Sequence, residues 1–75
     1  MYPVTDQDSN QLANSFTYHT VKEGQSERYV ALRGRAQTLA TEIYMFVPPS
    51  RERSLAITKL EEAIMWANKG IACNE

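Results

Sequence analysis

Three arginines, Arg28, Arg33 and Arg35, fall within eight residues. Each guanidinium is a planar fork of N–H donors that matches phosphate oxygens. Arg28 and Arg35 are seven apart and share one side of a helix. Arg33 lies one position beyond Leu32 and flanks the apolar stripe. Upstream, Phe16 and Tyr18 offer flat rings. Stacking of such a ring on a nucleobase is worth about 1–3 kcal/mol and tolerates different bases. An aromatic from this segment and an arginine from the helix make a minimal kit for one nucleotide, with the base stacked and the phosphate clamped. His19 adds an acid/base or stacking group, and Lys22 a further cation. Plainer readings stay open beside this one. The arginines can form a solvated face with Glu27 and Glu42 as partners. Phe16 can pack into the core, Tyr18 can do either, and His19 can be a surface residue of a polar arm.

Signatures of catalysis are missing from the sequence. It has no Gly-rich phosphate loop, no paired histidines, no nucleophile elbow and no Cys–His spacing of a known type. Glu61 and Glu62 lie beside Lys59 and read as a charged, solvated face. Cys73 is the one cysteine and His19 the one histidine, so neither an intramolecular disulfide nor a zinc site is expected. No catalytic residue, metal or cofactor is assigned.

The elements that must position these residues follow from spacing. Thr5 and Asp8 are three apart, as in a capping box, and start a short helix over about Asp6–Asn14. Ser15 to Gly24 suits an extended arm. Tyr29, Leu32, Ala36, Leu39, Ile43 and Phe46 then recur at spacings of 3, 4, 3, 4 and 3. That is one helical stripe, over about 25–47, with Gly24 or Ser26 at its start. Pro48 and Pro49 stop it. Ser50 is a natural N-cap for a second helix, over about 50–72. Ile57, Leu60, Ile64, Ala67 and Ile71 form its stripe, and Gly70 marks a frayed or capped end. Only about three residues join the two helices, which makes them antiparallel neighbours.

The expected fold is therefore all-α: one domain over 1–75, with a short N-terminal helix and arm over 1–24 followed by an antiparallel helical hairpin. Seventy-five residues, 43% hydrophobic and 23% charged, suit a single small globular domain. Below about 70–80 residues a lone core supplies only about 3–5 kcal/mol. Without a disulfide or a metal, the chain is expected to assemble into a homo-oligomer. Met45, Leu55, Met65 and Trp66 lie off the main stripes and, with Phe46 at the end of the first, would form the interface, unless Met65 and Trp66 only cover the arm. Eight Lys+Arg against nine Asp+Glu argue against a general DNA binder. No apolar run approaches the roughly 20 residues of a membrane span. The first residues do not read as a signal peptide, so the expected location is a reducing cytoplasm.

Residues 16–72 carry a family resemblance. The arm Phe16-Thr17-Tyr18-His19 is followed by Arg28-Tyr29 and Leu32-Arg33, then by Pro49-Ser50-Arg51-Glu52-Arg53. Leu60-Glu61-Glu62-Ala63-Ile64-Met65-Trp66-Ala67-Asn68 closes the pattern. Together these resemble the small phage proteins that sequester cyclic oligonucleotides to defeat CBASS, a bacterial immune pathway. The resemblance implies hairpin protomers in a compact hexamer, acting in the host cytoplasm. It also implies a sponge that binds the cyclic messenger without cleaving it. Cyclic dinucleotides lie between protomers in that family, with an arm tyrosine on a base and a basic helix residue at the phosphate. Tyr18 and Arg33 stand at the matching positions. Some members also bind cyclic trinucleotides, through a basic residue close to the C-terminus. Here that stretch reads Ala72-Cys73-Asn74-Glu75, so Lys69 or Arg35 would have to take its place.

Tyr18, His19, Lys22, Arg33 and Arg35 are the candidate ligand-binding residues, and cyclic dinucleotides the expected partner. The alternative is an interaction module that docks a host or phage protein through Met65, Trp66 and Phe46. A DNA-binding hairpin using Arg28, Arg35, Arg51 and Arg53, or hydrolysis of a cyclic nucleotide, fits the sequence less well.

Overall fold

The computed structural model describes residues 2–17 and 19–75. These form three helices: α1 (Asp6–Phe16), α2 (Gln25–Phe46) and α3 (Arg51–Asn74). The all-α fold with an α2–α3 hairpin is the one the spacing indicates.

Each helix start has a local cause. At α1, Asp8 N–H donates to Thr5 Oγ1 and Thr5 N–H to Asp8 Oδ2, both at 3.1 Å. This reciprocal pair is the expected capping box. At α2 the N-cap is Gly24, whose φ of +83° is left-handed backbone that glycine adopts freely. It offers no side-chain cap. Gln25 instead closes the preceding turn: its N–H donates to Lys22 O at 3.1 Å, and its Oε1 accepts from Lys22 N–H at 2.9 Å. At α3, Ser50 Oγ accepts from Arg53 N–H at 3.1 Å and donates to Pro48 O at 3.0 Å. Arg53 Nη1 reaches back to the carbonyls of Tyr44 and Val47 at 3.4 and 3.3 Å, so it caps the end of α2 across the turn.

Two helix ends differ from expectation. α1 runs past Asn14 to Phe16, so Ser15 and Phe16 belong to its last turn and not to the arm. Thr17 Oγ1 donates to Ala13 O, and His19 Nε2 donates to Asn14 O at 2.7 Å. These side chains satisfy carbonyls that the helix itself cannot. α3 runs through Gly70 to Asn74, beyond the expected end near 72. Its last turn is capped from outside the helix. Gln25 Nε2 donates to Ile71 O at 3.4 Å, and Asn14 Nδ2 to Cys73 O at 3.2 Å. Lys22 Nζ donates to Glu75 O. With those carbonyls met, Gly70 need not terminate anything.

α2 packs along α3. The α3 side of the seam is the expected stripe, with Ile57, Leu60, Ile64, Ala67 and Ile71 half-buried. The α2 side differs. Tyr29, Leu32, Ala36 and Ile43 face the seam, but Leu39 and Phe46 turn outward, and Ala40 and Val47 take their places.

The chain measures 48 × 39 × 13 Å. The shortest dimension is about one helix diameter, so the fold is a single layer. The radius of gyration is 16.7 Å, against about 11 Å for a compact chain of this length. The exposed surface is 6380 Å², about 1,700 Å² more than a compact monomer of this size would show. A core needs two layers. Among the described residues no apolar side chain is buried, and Gln25 is the one buried polar residue. Met45, Phe46, Leu55, Met65 and Trp66 are all exposed, as is Phe16, which does not pack into a core.

Candidate ligand-binding site

Arg33 stands on the rim of a groove between α2 and α3. Ala36, Gln37 and Ala40 line it from α2, and Ile57, Leu60, Glu61 and Ile64 from α3. The small side chains of Ala36 and Ala40 leave the floor shallow and apolar. The hollow holds about 380 Å³, within the range of small-molecule sites. Arg33 and Glu61 give it one charge of each sign, and Gln37 a neutral polar group. Arg33 has no ion-pair partner among the described residues.

The other candidates lie elsewhere on the protomer. Arg35 is two residues from Arg33, so the two point about 200° apart around α2. Arg35 shares its side with Arg28. Arg28 is not paired with Glu27: its Nη1 and Nη2 hold Glu75 Oε2 and Oε1 at 2.6 and 2.5 Å. Those hydrogen bonds hold the Glu75 carboxyl below the usual carboxylate range, against the opposing effect of burial. Hydrogen bonding to Glu75 likewise keeps the Arg28 guanidinium firmly protonated. Lys22 is engaged with the main-chain oxygen of Glu75.

His19 is half-buried where the arm meets the end of α3. Its Nε2 carries the proton given to Asn14 O. Cys73 Sγ lies 3.8 Å from the same nitrogen and 3.9 Å from Asn14 O. A ring nitrogen already donating cannot take the thiol proton, so this pair is not an activated nucleophile. Tyr18 lies outside the described residues. The groove wall thus takes Arg33 but none of His19, Lys22 and Arg35.

Other polar placements depend on contacts between the folded segments. Lys69 Nζ sits 5.6 Å from the Trp66 ring centroid and 6.0 Å from that of Phe16. Asn68 Oδ1 is buried and has no hydrogen-bond partner among the described residues. The burial of Gln25 and the reach of Asn14 and Glu75 depend on contacts between segments distant in the chain. Only the approximate position of Arg33 beside the stripe was readable locally. Among the described residues no cluster of His, Cys, Asp and Glu could hold a metal ion. No described helix is long and apolar enough to cross a membrane.

A family model described as the Acb2/Tad1 hairpin domain matches residues 8–72. The match begins in the first turn of α1, ahead of the stretch from residue 16 that carries the resemblance. No curated protein and no solved structure matches the chain.

Proposed function

Because the chain belongs to the Acb2/Tad1 hairpin family over residues 8–72, we propose that it binds and sequesters cyclic dinucleotide second messengers without cleaving them. A messenger held in this way cannot activate a CBASS effector in the host cytoplasm. The observation that carries the reading at residue level is Arg33, a guanidinium with no ion-pair partner among the described residues, on the rim of an open, largely apolar groove. In this reading Arg33 holds a phosphate and Tyr18 stacks on a base. His19 and Arg35 supply further polar contacts, while Lys22 is engaged with Glu75.

The site is completed by other copies of the chain. One protomer is a single layer with about 1,700 Å² of surplus surface, and a standard interface covers about 800 Å² on each partner. The surplus is enough for about two such contacts per protomer, which suits a closed ring or a hexamer. Assembly also explains why candidates spread over two sides of one protomer can serve one ligand. A dinucleotide carries two phosphates, so a few arginines per pocket suffice and a net charge of −1 is no obstacle.

Calorimetric titration with a panel of cyclic di- and trinucleotides tests the reading, with recovery of the ligand after denaturation. Tight binding and intact recovery are expected. An absence of heat from a folded, oligomeric protein would favour the second reading, in which the exposed Met45, Phe46, Met65 and Trp66 dock a protein partner.

A further inference from the structure

Lys22 and Arg28 converge on one residue away from the groove. The Arg28 fork takes both carboxylate oxygens of Glu75, and Lys22 Nζ takes its main-chain oxygen. Arg28 Nε is tethered to Gly24 O at 3.3 Å, which fixes the plane of the fork. The first turn of α2 lies alongside, and the positive end of its dipole favours an anion there.

A guanidinium that grips a carboxylate with two parallel bonds grips a phosphate in the same geometry. We propose that Arg28 and Lys22 form a phosphate-binding site, separate from the groove that bears Arg33, and that the Glu75 carboxylate occupies it until a phosphate displaces it. Glu75 follows the last residue of α3, so its side chain can turn into solvent while the helix stays formed. The side chains of Arg28 and Glu75 are 47% and 40% exposed, so the exchange needs no opening of the fold. The carboxylate acts as an internal competitor. It sets the affinity of the site and neutralises Arg28, whereas Lys22 rests on the Glu75 main-chain oxygen.

The phosphate can belong to a bound nucleotide or be free in solution, and the test separates the two. The Arg28 Nε–Hε resonance of the intact protein is followed by NMR during titration with inorganic pyrophosphate, then with a cyclic dinucleotide. Pyrophosphate is expected to shift that resonance. Glu75→Gln removes the competing charge and is expected to tighten binding about two- to fivefold, the range open to an exposed ion pair. Glu75→Ala should do the same, and Lys22→Gln, which keeps the Arg28 reporter, should weaken pyrophosphate binding. A response to the cyclic dinucleotide as well assigns the phosphate to a nucleotide, and a response to pyrophosphate alone assigns it to a free anion. The pyrophosphate arm does not depend on sequestration, so it holds even if no cyclic nucleotide binds. An unmoved Arg28 resonance, or equal affinity in the wild type and both Glu75 variants, overturns the proposal.

Discussion

Gln25 Nε2 donates to the Ile71 carbonyl at 3.4 Å, tying the first residue of α2 to the last turn of α3. The same amide accepts from Lys22 N–H, so one side chain joins the arm to both hairpin helices. It is also the one side chain that is buried among the described residues.

Removing it should be felt throughout the hairpin. Gln25→Ala leaves a main-chain donor and an acceptor without partners in a part-buried position. A loss of about 1–3 kcal/mol is expected, as for other unsatisfied buried groups. Thermal melting of the variant at a fixed protomer concentration checks this.

The three glycines should respond differently to alanine. Gly24 has φ +83°, so Gly24→Ala is expected to cost about 1–2 kcal/mol. Gly34 and Gly70 are helical, and a Cβ at either meets nothing within 4 Å in the protomer. Gly34→Ala and Gly70→Ala are each expected to stabilise by up to about 1 kcal/mol. Denaturant unfolding of the three variants gives the comparison.

The ion pair of Arg28 and Glu75 sets a direction in pH. Glu75 is more acidic when folded, because the Arg28 hydrogen bonds favour its charged form. Its contribution is therefore complete above the usual carboxyl value of 4.5 and is lost as pH falls through the lower folded value. The carboxyl carbon of Glu75 in an NMR titration should show a midpoint below 4.5. Glu75→Gln should remove the Arg28 response in that window.

Arg33 and Arg35 separate the groove from the opposite side of α2. Under the sequestration reading, Arg33→Ala should weaken cyclic dinucleotide binding about ten- to a hundredfold, the worth of a hydrogen bond to a charged group. Arg35→Ala should cost less. Light scattering on both variants should show the wild-type mass, which separates loss of a contact from loss of the assembly.

Parts of this fold were legible in the sequence because their causes are local. The Thr5/Asp8 box, the Pro48-Pro49 stop, the Ser50 cap and the stripe from Ile57 to Ile71 all rest on neighbours within a few positions. The α2 stripe was legible only in part. Leu39 is more apolar than Ala40, yet α3 sets the register, and small Ala36 and Ala40 allow the close approach that Leu39 would block. The end of α3 was not legible, since Asn14, Lys22 and Gln25 cap it from the far end of the chain. The same holds for the site. Arg33 could be placed beside the stripe by spacing, whereas the capture of Arg28 and Lys22 by Glu75 depends on which segments meet.

Sequestration without cleavage is most directly tested with a messenger-activated CBASS effector. The effector is mixed with its cyclic dinucleotide, with and without a molar excess of this protein, and its activity is recorded. The mixture is then heated to denature the protein, cleared, and added to fresh effector. Activity is expected to be suppressed by the protein and to return in full after heating. Activity that stays lost would show that the messenger is destroyed, and activity that is never suppressed would show that it is not bound.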